Sequence, residues 1–354
     1  MSATLVALDY YLPERVVTND ELAACFPGQN AQQMLRSSGV AQRHIAAAGE
    51  APSDMAWQAA QRLFQQFYQY GLEPTEYIDG LLYCSEIPDC RAPMTAILLH
   101  GRLGLRSDCL ALDIPAGCTG FMNGLLLAKS LISSKQLRHV LLLTAEATSW
   151  VVPEDDLALR MIFADGAAAA LISASPKDGI GEFIFGVDSS GAGALGVPDS
   201  GARQPLNQVF LNENGDISMP FGHLQMNGQE VLRFSLREVP VLMQKVLEKN
   251  NLEKEDIDIF VFHQASGFVL NALQKKCAIP EEKFFRCIES TGNTVSSTLP
   301  ISLARALSEG KIKSGSRVML LGFGVGFAWS GTVIEWQQGD ASFSAAFFEA
   351  NLVE

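Results

Sequence analysis

The chain has 354 residues, more than one hydrophobic core normally holds, so its length predicts two core-forming units. Hydrophobic residues make up 48% of the sequence and charged residues 18%, a balance typical of a large globular protein. The formal net charge of −13 argues against nucleic-acid binding. Because we find neither an apolar run of about 18 residues nor a signal peptide, we expect a cytoplasmic protein without a membrane-spanning segment.

Continuous apolar runs predict strands that are buried on both faces. In chain order these runs are Leu81–Cys84, Leu110–Ile114, Val140–Thr144, Ala167–Ile172, Ile259–Phe262 and Val318–Leu321. Amphipathic segments between the runs predict the helices Ala56–Tyr70, Gly120–Ser134, Glu230–Asn250 and Ser302–Glu309. This alternation predicts a layered α/β fold, and the Gly-, Asn- and Pro-rich segment Ser189–Asp216 predicts a long connection.

The seven cysteines are odd in number, and no two of them form a CxxC pair. This pattern predicts free thiols in a reducing compartment rather than a disulfide framework or a zinc site. Most of these thiols are expected to be buried as small hydrophobic groups.

Two parts of the chain repeat the same order of elements: strand, helix, strand, glycine turn, helix, strand. Aligning the turn glycines places Cys118 opposite Asn293. We therefore predict two duplicated α/β halves, residues 1–175 and residues 176–354. Ligands of α/β sheets gather beyond the carboxyl ends of strands, so we expect these two positions to approach one common site.

Cys118 lies among small residues in DIPAGCTGF, between a predicted strand and a predicted helix. A turn of this kind can expose a nucleophile, and the N-terminus of a helix favours thiolate, which would bring the pKa below the usual value of about 8.5. The alternative is a structural cysteine buried at a tight turn.

His263 follows a predicted strand in VFHQAS, and Asn293 follows a glycine in STGNTVSSTLP. Each residue type is equally compatible with a structural role, as a polar strand end or as a helix cap. The segment GFGVGFAWSG, residues 322–331, lacks the spacing of a phosphate-binding loop. It is better suited to present backbone N–H groups to an oxyanion.

The motifs DIPAGCTGF, HQAS, GNTVSSTLP and GFGVGFAW, in this order, resemble β-ketoacyl-acyl-carrier-protein synthase III of the thiolase superfamily. FADGAAAALI and SGVAQRHIA match the same family, and the resemblance spans nearly the whole chain. It implies a five-layered αβαβα fold, a homodimer, and Cys118, His263 and Asn293 as the catalytic set.

The resemblance also implies a decarboxylative Claisen condensation. Cys118 would hold the acyl group, with the backbone N–H groups of Cys118 and Val325 as the oxyanion hole. His263 and Asn293 would bind the carbonyl of a malonyl, or ketoacyl, carrier-protein thioester. This reaction requires neither a metal ion nor a redox cofactor.

The chain departs from the family pattern at several positions. Ser266 replaces an asparagine, and Phe268 replaces an arginine that docks the carrier protein, whereas Arg233 and Lys275 match other basic docking positions. The tryptophan and arginine that bind coenzyme A fall at Gln33 and Ser37. We therefore expect an acyl carrier protein as partner and as a possible primer donor.

A phenylalanine that bounds the family's primer pocket falls at Ala92, and we assign Ala92, Phe268 and Phe323 to the substrate pocket. A smaller residue at position 92 would admit a longer, branched or aromatic acyl group. These changes favour specialised metabolism, such as polyketide synthesis, over the initiation of fatty-acid biosynthesis. Two other functions stay open: acyl transfer to an alcohol or amine, and a non-catalytic partner subunit of a ketosynthase.

Overall fold

The apolar runs form the strands of two central sheets. The computed structural model describes residues 2–199, 201–202, 210–211, 217–218 and 222–337. The strands of these residues are β1 (Ser2–Tyr11), β2 (Arg15–Thr18), β3 (Gln42–Ile45), β4 (Gly80–Cys84), β5 (Leu110–Ile114), β6 (His139–Glu146), β7 (Gly166–Ser175), β8 (Ile184–Val187), β9 (Leu195–Gly196), β10 (Phe210–Leu211), β11 (Ile217–Ser218), β12 (Gln225–Met226), β13 (Ile259–Phe262), β14 (Phe284–Phe285), β15 (Arg317–Gly324) and β16 (Ala328–Glu335).

The amphipathic segments form the helices that cover these sheets. They are α1 (Asn19–Cys25), α2 (Ala31–Ser38), α3 (Pro52–Tyr68), α4 (Thr95–Leu103), α5 (Gly120–Ser133), α6 (Leu157–Arg160), α7 (Gly228–Lys249), α8 (Gly267–Lys276), α9 (Ile288–Thr291) and α10 (Thr298–Ser308). Helix α3 begins at Pro52, before the predicted bound, because proline suits the first position of a helix, where its missing N–H costs nothing. None of the helices in the described residues is both long and apolar enough to cross a membrane.

The two five-stranded sheets have the same topology. The first sheet has the order β1-β7-β6-β4-β5, and the second, read from its other edge, has the order β8-β16-β15-β13-β14. In each sheet the first three strands of that order pair antiparallel and the last three pair parallel. The duplicated α/β architecture is therefore confirmed.

Three hydrophobic clusters lie between five layers, and the central cluster fills both spaces between the middle helices and the two sheets. Helices α3 and α4 cover the outer face of the first sheet, and α7 and α8 cover the outer face of the second. Helices α5 and α10 lie between the sheets, where Phe121, Leu125 and Leu303 pack with side chains of both. The predicted αβαβα layering is thus confirmed, and the middle layer belongs to the two helices that follow Cys118 and Asn293.

Strand β5 differs from its prediction. Its bounds agree, but Leu110 is 40% exposed and the rest of the strand is half-buried, so the prediction of burial on both faces is wrong here. The reason is its place at the edge of the first sheet, where hydrogen bonds pair it with β4 on one side within the described chain. Much of the predicted connection Ser189–Asp216 lies outside the described residues.

Candidate active site

Cys118 lies in the turn between β5 and α5, as the sequence predicts, and its side chain is buried. Two glycines allow this close packing. A Cβ on Gly117 would come within 2.7 Å of the carboxyl carbon of Glu86, and one on Gly324 within 2.7 Å of the Cβ of Cys118. Larger residues at either position would have to displace Cys118 or its neighbours.

The glycine-rich segment 322–331 is mostly strand: it comprises the end of β15, a tight turn and the start of β16. The turn begins at Val325, whose backbone N–H reaches the thiol of Cys118. The N–H of Cys118 also stabilises its own thiolate. Both backbone donors predicted for the oxyanion hole therefore act to lower the pKa of the Cys118 thiol.

The expected lowering of the Cys118 pKa is not found. Burial raises the pKa of the thiol to about 12, and the charges of Glu86 and Glu146 add to this rise, while the N–H of Val325 opposes it. Desolvation of the thiolate outweighs the favourable backbone donors. The resting cysteine is therefore a thiol, and a role as nucleophile would require a proton acceptor.

His263 directly follows β13 and is buried to 1% exposure. Its Nδ1 atom lies 2.6 Å from the hydroxyl oxygen of Thr298, and its ring meets the edge of Phe323 at a centroid distance of 5.6 Å. Burial lowers the pKa of His263 to about 3, so the ring is neutral at ordinary pH. Its Nε2 atom is then the position from which the ring can reach a substrate.

Asn293 lies between α9 and α10, where backbone contacts fix it. Its N–H donates to the carbonyl of Ile162 at 2.9 Å, and its carbonyl accepts from Ala164 at 2.9 Å. The side-chain amide donates to the carbonyl of Ala265 at 3.2 Å, and its oxygen accepts from the N–H of Val295 at 2.9 Å. One amide hydrogen is left to donate to a ligand.

Shared neighbours bring the three predicted catalytic residues together. The end of β15 passes both Cys118 and His263, since Gly324 packs on the cysteine and Phe323 on the histidine. Ala265, two residues after His263, binds the amide of Asn293. A thiol, a neutral imidazole and a primary amide thus share neighbouring residues, and of the three Cys118 alone lines the cavity described next.

Cys118 lines a cavity of about 610 Å³ that is large enough for an acyl chain. The wall is formed by Glu86, Ile87, Pro88, Asp89, Cys90, Arg91, Cys118, Glu146, Thr148, Val151, Phe163, Leu195, Gly196, Val197, Leu224, Val295 and Val325. Most of these residues are apolar, but two glutamates stand beside the cysteine.

The sequence-based assignment of the substrate pocket requires correction. Phe323 is buried against His263, Phe268 is 56% exposed in the first turn of α8, and Ala92 is exposed beyond Arg91. None of the three lines the cavity described above. The walls come instead from loops after β4, β6 and β9, which motif spacing alone does not place.

The other predicted binding positions lie on the surface. Arg233 on α7 and Lys275 on α8 are exposed, and the two helices pack against each other. Gln33 and Ser37 are exposed on α2. Ser266 instead caps α8, where its hydroxyl accepts from the N–H of Val269 at 3.2 Å.

Sequence reasoning missed Glu86, Glu146 and Thr298. Glu146 ends β6, and Glu86 follows β4 by two residues, so both lie at the carboxyl end of a strand, the feature that also identified His263. The sequence therefore contained a signal for both glutamates. Thr298 lies in the motif GNTVSSTLP. Its partner is His263, which follows β13 and lies 35 residues earlier in the chain, so spacing alone could not pair the two residues.

Comparison with known proteins agrees with this geometry. Residues 112–189 match the family described as 3-oxoacyl-acyl-carrier-protein synthase III, and residues 247–336 match its C-terminal domain. A curated relative, beta-ketoacyl-acyl-carrier-protein synthase III of Koribacter versatilis strain Ellin345, is 32% identical over 94% of this chain and 98% of its own.

Solved structures give the same result. A 2.1 Å crystal structure of a 3-oxoacyl-acyl-carrier-protein synthase III superposes with a TM-score of 0.88 and 39% identity, covering 95% of this chain and 100% of that chain. A priming β-ketosynthase of a polyketide biosynthetic pathway superposes with a TM-score of 0.85 and 26% identity, covering 95% and 97%. The chain therefore belongs to the β-ketoacyl-acyl-carrier-protein synthase III family of condensing enzymes.

Proposed function

We propose that this enzyme joins an acyl thioester to a malonyl-, or ketoacyl-, carrier-protein thioester by decarboxylative Claisen condensation. The observation that carries the proposal is the position of Cys118, whose thiol faces the cavity and lies within reach of the backbone N–H of Val325. A nucleophile and an oxyanion donor at one wall of an acyl-sized cavity suit covalent acyl transfer.

In the first half-reaction the sulfur of Cys118 attacks the carbonyl carbon of the acyl thioester. The N–H groups of Cys118 and Val325 bind the oxyanion that forms, and the carrier thiol departs. The acyl chain then occupies the cavity. Its apolar stretch, which includes Ile87, Val151 and Leu224, would contact the chain.

In the second half-reaction His263 and Asn293 bind the carbonyl oxygen of the extender thioester. The free amide hydrogen of Asn293 and an N–H at Nε2 of His263 stabilise the enolate that forms as CO₂ leaves. The enolate carbon attacks the acyl group on Cys118, and the sulfur departs. In each half-reaction the N–H donors bind the negative charge on one carbonyl oxygen, and the condensation involves no net oxidation or reduction, so the proposed steps call for neither a metal ion nor a redox cofactor.

Mass spectrometry and CO₂ release test this proposal together. The protein is incubated with acyl-carrier protein and with acyl-coenzyme A, and an acyl adduct is sought on Cys118. Malonyl-carrier protein is then added, and one CO₂ is expected for each acyl group consumed. An adduct without CO₂ would indicate acyl transfer to an alcohol or amine, and no adduct with any donor would indicate a non-catalytic subunit.

The exposed surface of helices α7 and α8 supports an acyl carrier protein as partner. Arg233 and Lys275 are exposed on adjoining helices, where they can pair with the acidic groups of a carrier. Gln33 and Ser37 offer neither an aromatic ring nor a cation to a nucleotide. We therefore propose that the primer arrives on a carrier protein, which a higher loading rate from acyl-carrier protein than from acyl-coenzyme A would support. We also propose that the enzyme belongs to specialised metabolism.

The exposed edge of the first sheet supports a homodimer. Strand β5 leaves its outer backbone groups unpaired within the described chain, and Leu110 at 40%, Ile97 at 47% and Leu98 at 43% exposure form an apolar surface at this edge and on α4. A second copy that pairs at β5 would cover it.

Leu110→Lys is expected to weaken the dimer because it places a charge in the apolar interface. We expect a rise of about tenfold or more in the dissociation constant, measured by analytical ultracentrifugation. Val241→Lys, at a residue 46% exposed on α7, is the matched control and should leave the constant unchanged. A wild-type chain that sediments as a monomer at all concentrations would contradict the dimer.

The remaining sequence-based expectations are also proposals. The division into residues 1–175 and 176–354 is supported by the repeated topology, with the first sheet ending at Ser175. A cytoplasmic location is supported by seven unpaired cysteines. Separate expression of the halves and fractionation of cells that express the tagged protein would test them.

A further inference from the structure

Two glutamates stand together on the cavity wall beside Cys118. The backbone N–H of Glu86 lies 3.3 Å from both carboxyl oxygens of Glu146, and Ser296 donates to Glu146 at 2.8 Å. The Glu86 carboxyl rests against Gly117, the residue before the nucleophile. Within the described residues its oxygens accept no hydrogen bond, and the group faces the cavity.

The environment separates the roles of the two carboxyl groups. Burial and the neighbouring charge of Glu86 raise the pKa of Glu146 far above its usual value, and the carboxyl group of Glu146 is engaged by the hydroxyl of Ser296 and the backbone N–H of Glu86. Burial raises the pKa of Glu86 to about 7, so this carboxyl exchanges a proton near neutral pH. A group with such a pKa is well matched to proton transfer.

The charged and titratable groups that face Glu86 are few. Glu146 on β6, Cys84 on β4 and Cys118 before α5 all have pKa values that the charge of Glu86 raises. Asp89 and Arg91 are the other charged residues on the cavity wall within the described residues.

Cys118 needs a base that its catalytic partners do not readily supply. Its thiol stays protonated at neutral pH, and burial lowers the pKa of His263 to about 3, so the imidazole is a weak proton acceptor. Glu86 lines the same cavity as the thiol and has an unengaged carboxyl group. A proton can pass between them directly or through one water molecule.

We propose that Glu86 is an acid–base residue that carries the proton of Cys118 during acyl loading, an inference that rests on the proposed function. The Glu86 carboxylate takes the thiol proton as the sulfur attacks the acyl carbonyl. The acyl–sulfur bond of the donor then breaks, and the carboxylic acid returns the proton to the departing thiolate. Donor thioester and enzyme thiol become acyl-enzyme and free thiol, with no net change in protons.

The same residue closes the second half-reaction. Loss of CO₂ leaves an enolate, whose attack on the acyl group expels the thiolate of Cys118. Before this step the Glu86 carboxylate takes up one proton from solvent. It gives that proton to the thiolate, which restores the thiol and leaves Glu86 as the carboxylate that the next loading step needs. The full cycle thus consumes one proton, as the loss of CO₂ from a carboxylate requires.

Glu86→Gln tests the proposal with two readouts on Cys118. We expect acyl loading, measured by mass spectrometry in single turnover, to slow by on the order of 100-fold because the base is lost. Alkylation by iodoacetamide should instead become faster, since removal of the negative charge lowers the pKa of the thiol. A purely electrostatic role for Glu86 would accelerate both reactions.

The pH dependence adds a second criterion. The base form of Glu86 is its carboxylate, so the wild-type loading rate should rise with pH through about 7 and then level off. Glu86→Gln should lose this rise of the loading rate with pH (the pH limb), and Glu86→Asp should restore it at least in part. Asp89→Asn removes a carboxylate from the same cavity wall but should retain the limb, because Asp89 is held by the hydroxyl of Ser53.

Loading by Glu86→Gln at the wild-type rate, with the pH limb intact, would overturn the proposal. A wild-type protein that forms no adduct with any donor would instead refute the proposed function itself. The two failures are therefore distinguishable.

Discussion

Cys118→Ala is expected to form no acyl-enzyme and to lose condensation by a factor on the order of 1,000 or more. The covalent route depends on this sulfur, and alanine offers no nucleophile in its place. Intact-protein mass spectrometry after incubation with acyl-carrier protein detects the loss. His263 and Asn293 stay in position, so the variant should still release CO₂ slowly from malonyl-carrier protein without coupling it to an acyl group.

Cys90→Ala is the matched control for this prediction. Cys90 is a second thiol on the same cavity wall, and its sulfur contacts the carbonyl of Pro93 at 3.4 Å. Within the part of the chain that the structure describes, no backbone N–H group is found at its sulfur. Cys90→Ala should load at close to the wild-type rate, and an adduct that persists in Cys118→Ala but disappears in Cys90→Ala would reverse the assignment of the nucleophile.

Much of the fold could be predicted because apolar patterns record burial directly. The run Ile259–Phe262 coincides with β13, which lies inside the second sheet and is covered on both faces. Leu110–Ile114 gave the right bounds but the wrong environment, because this edge strand carries the same apolar residues as an inner strand. Sequence pattern alone does not separate these two positions in a sheet.

The positions of Cys118 and His263 could also be predicted because each one follows a strand, whereas Asn293 lies after the short helix α9 and was found through its alignment with Cys118. Cys118, His263 and Asn293 stand at equivalent ends of duplicated units, and ordered motifs singled them out. The walls of the cavity were not predictable in the same way. They combine loops that are distant in sequence, so Ala92 and Phe268 were assigned to a pocket that neither lines.

The pKa of the nucleophile shows why local sequence gives an incomplete account of reactivity. Helix position alone favours a lower pKa, but Gly324 and Glu86 bring backbone and carboxylate close to Cys118, and burial dominates. A buried thiol with a raised pKa is protected from adventitious reactions and depends on proton transfer at the moment of attack. This dependence links the chemistry of Cys118 to its carboxylate neighbours.

His263→Ala is expected to spare acyl loading and to lower malonyl decarboxylation by about 100- to 1,000-fold, the usual effect of removing one oxyanion donor. In the proposed mechanism the imidazole contributes a hydrogen bond to the enolate oxygen and takes no part in forming the acyl-enzyme. Mass spectrometry of the adduct and CO₂ release in one sample measure the two steps separately. Equal loss of both steps would show that His263 serves loading as well.

We propose that Thr298 positions the proton of the neutral His263 ring on Nε2. Its single hydroxyl hydrogen can go to Nδ1 of the ring at 2.6 Å or to the carbonyl of Val295 at 3.1 Å, and only the first choice leaves a proton on Nε2 for the enolate. Thr298→Val removes this choice while keeping the ring and the volume. We expect decarboxylation to fall about tenfold, as for loss of one buried hydrogen bond, with loading unchanged. Thr298→Ser retains the hydroxyl and should retain the activity, so equal losses in both variants would assign the effect to packing rather than to the proton on His263.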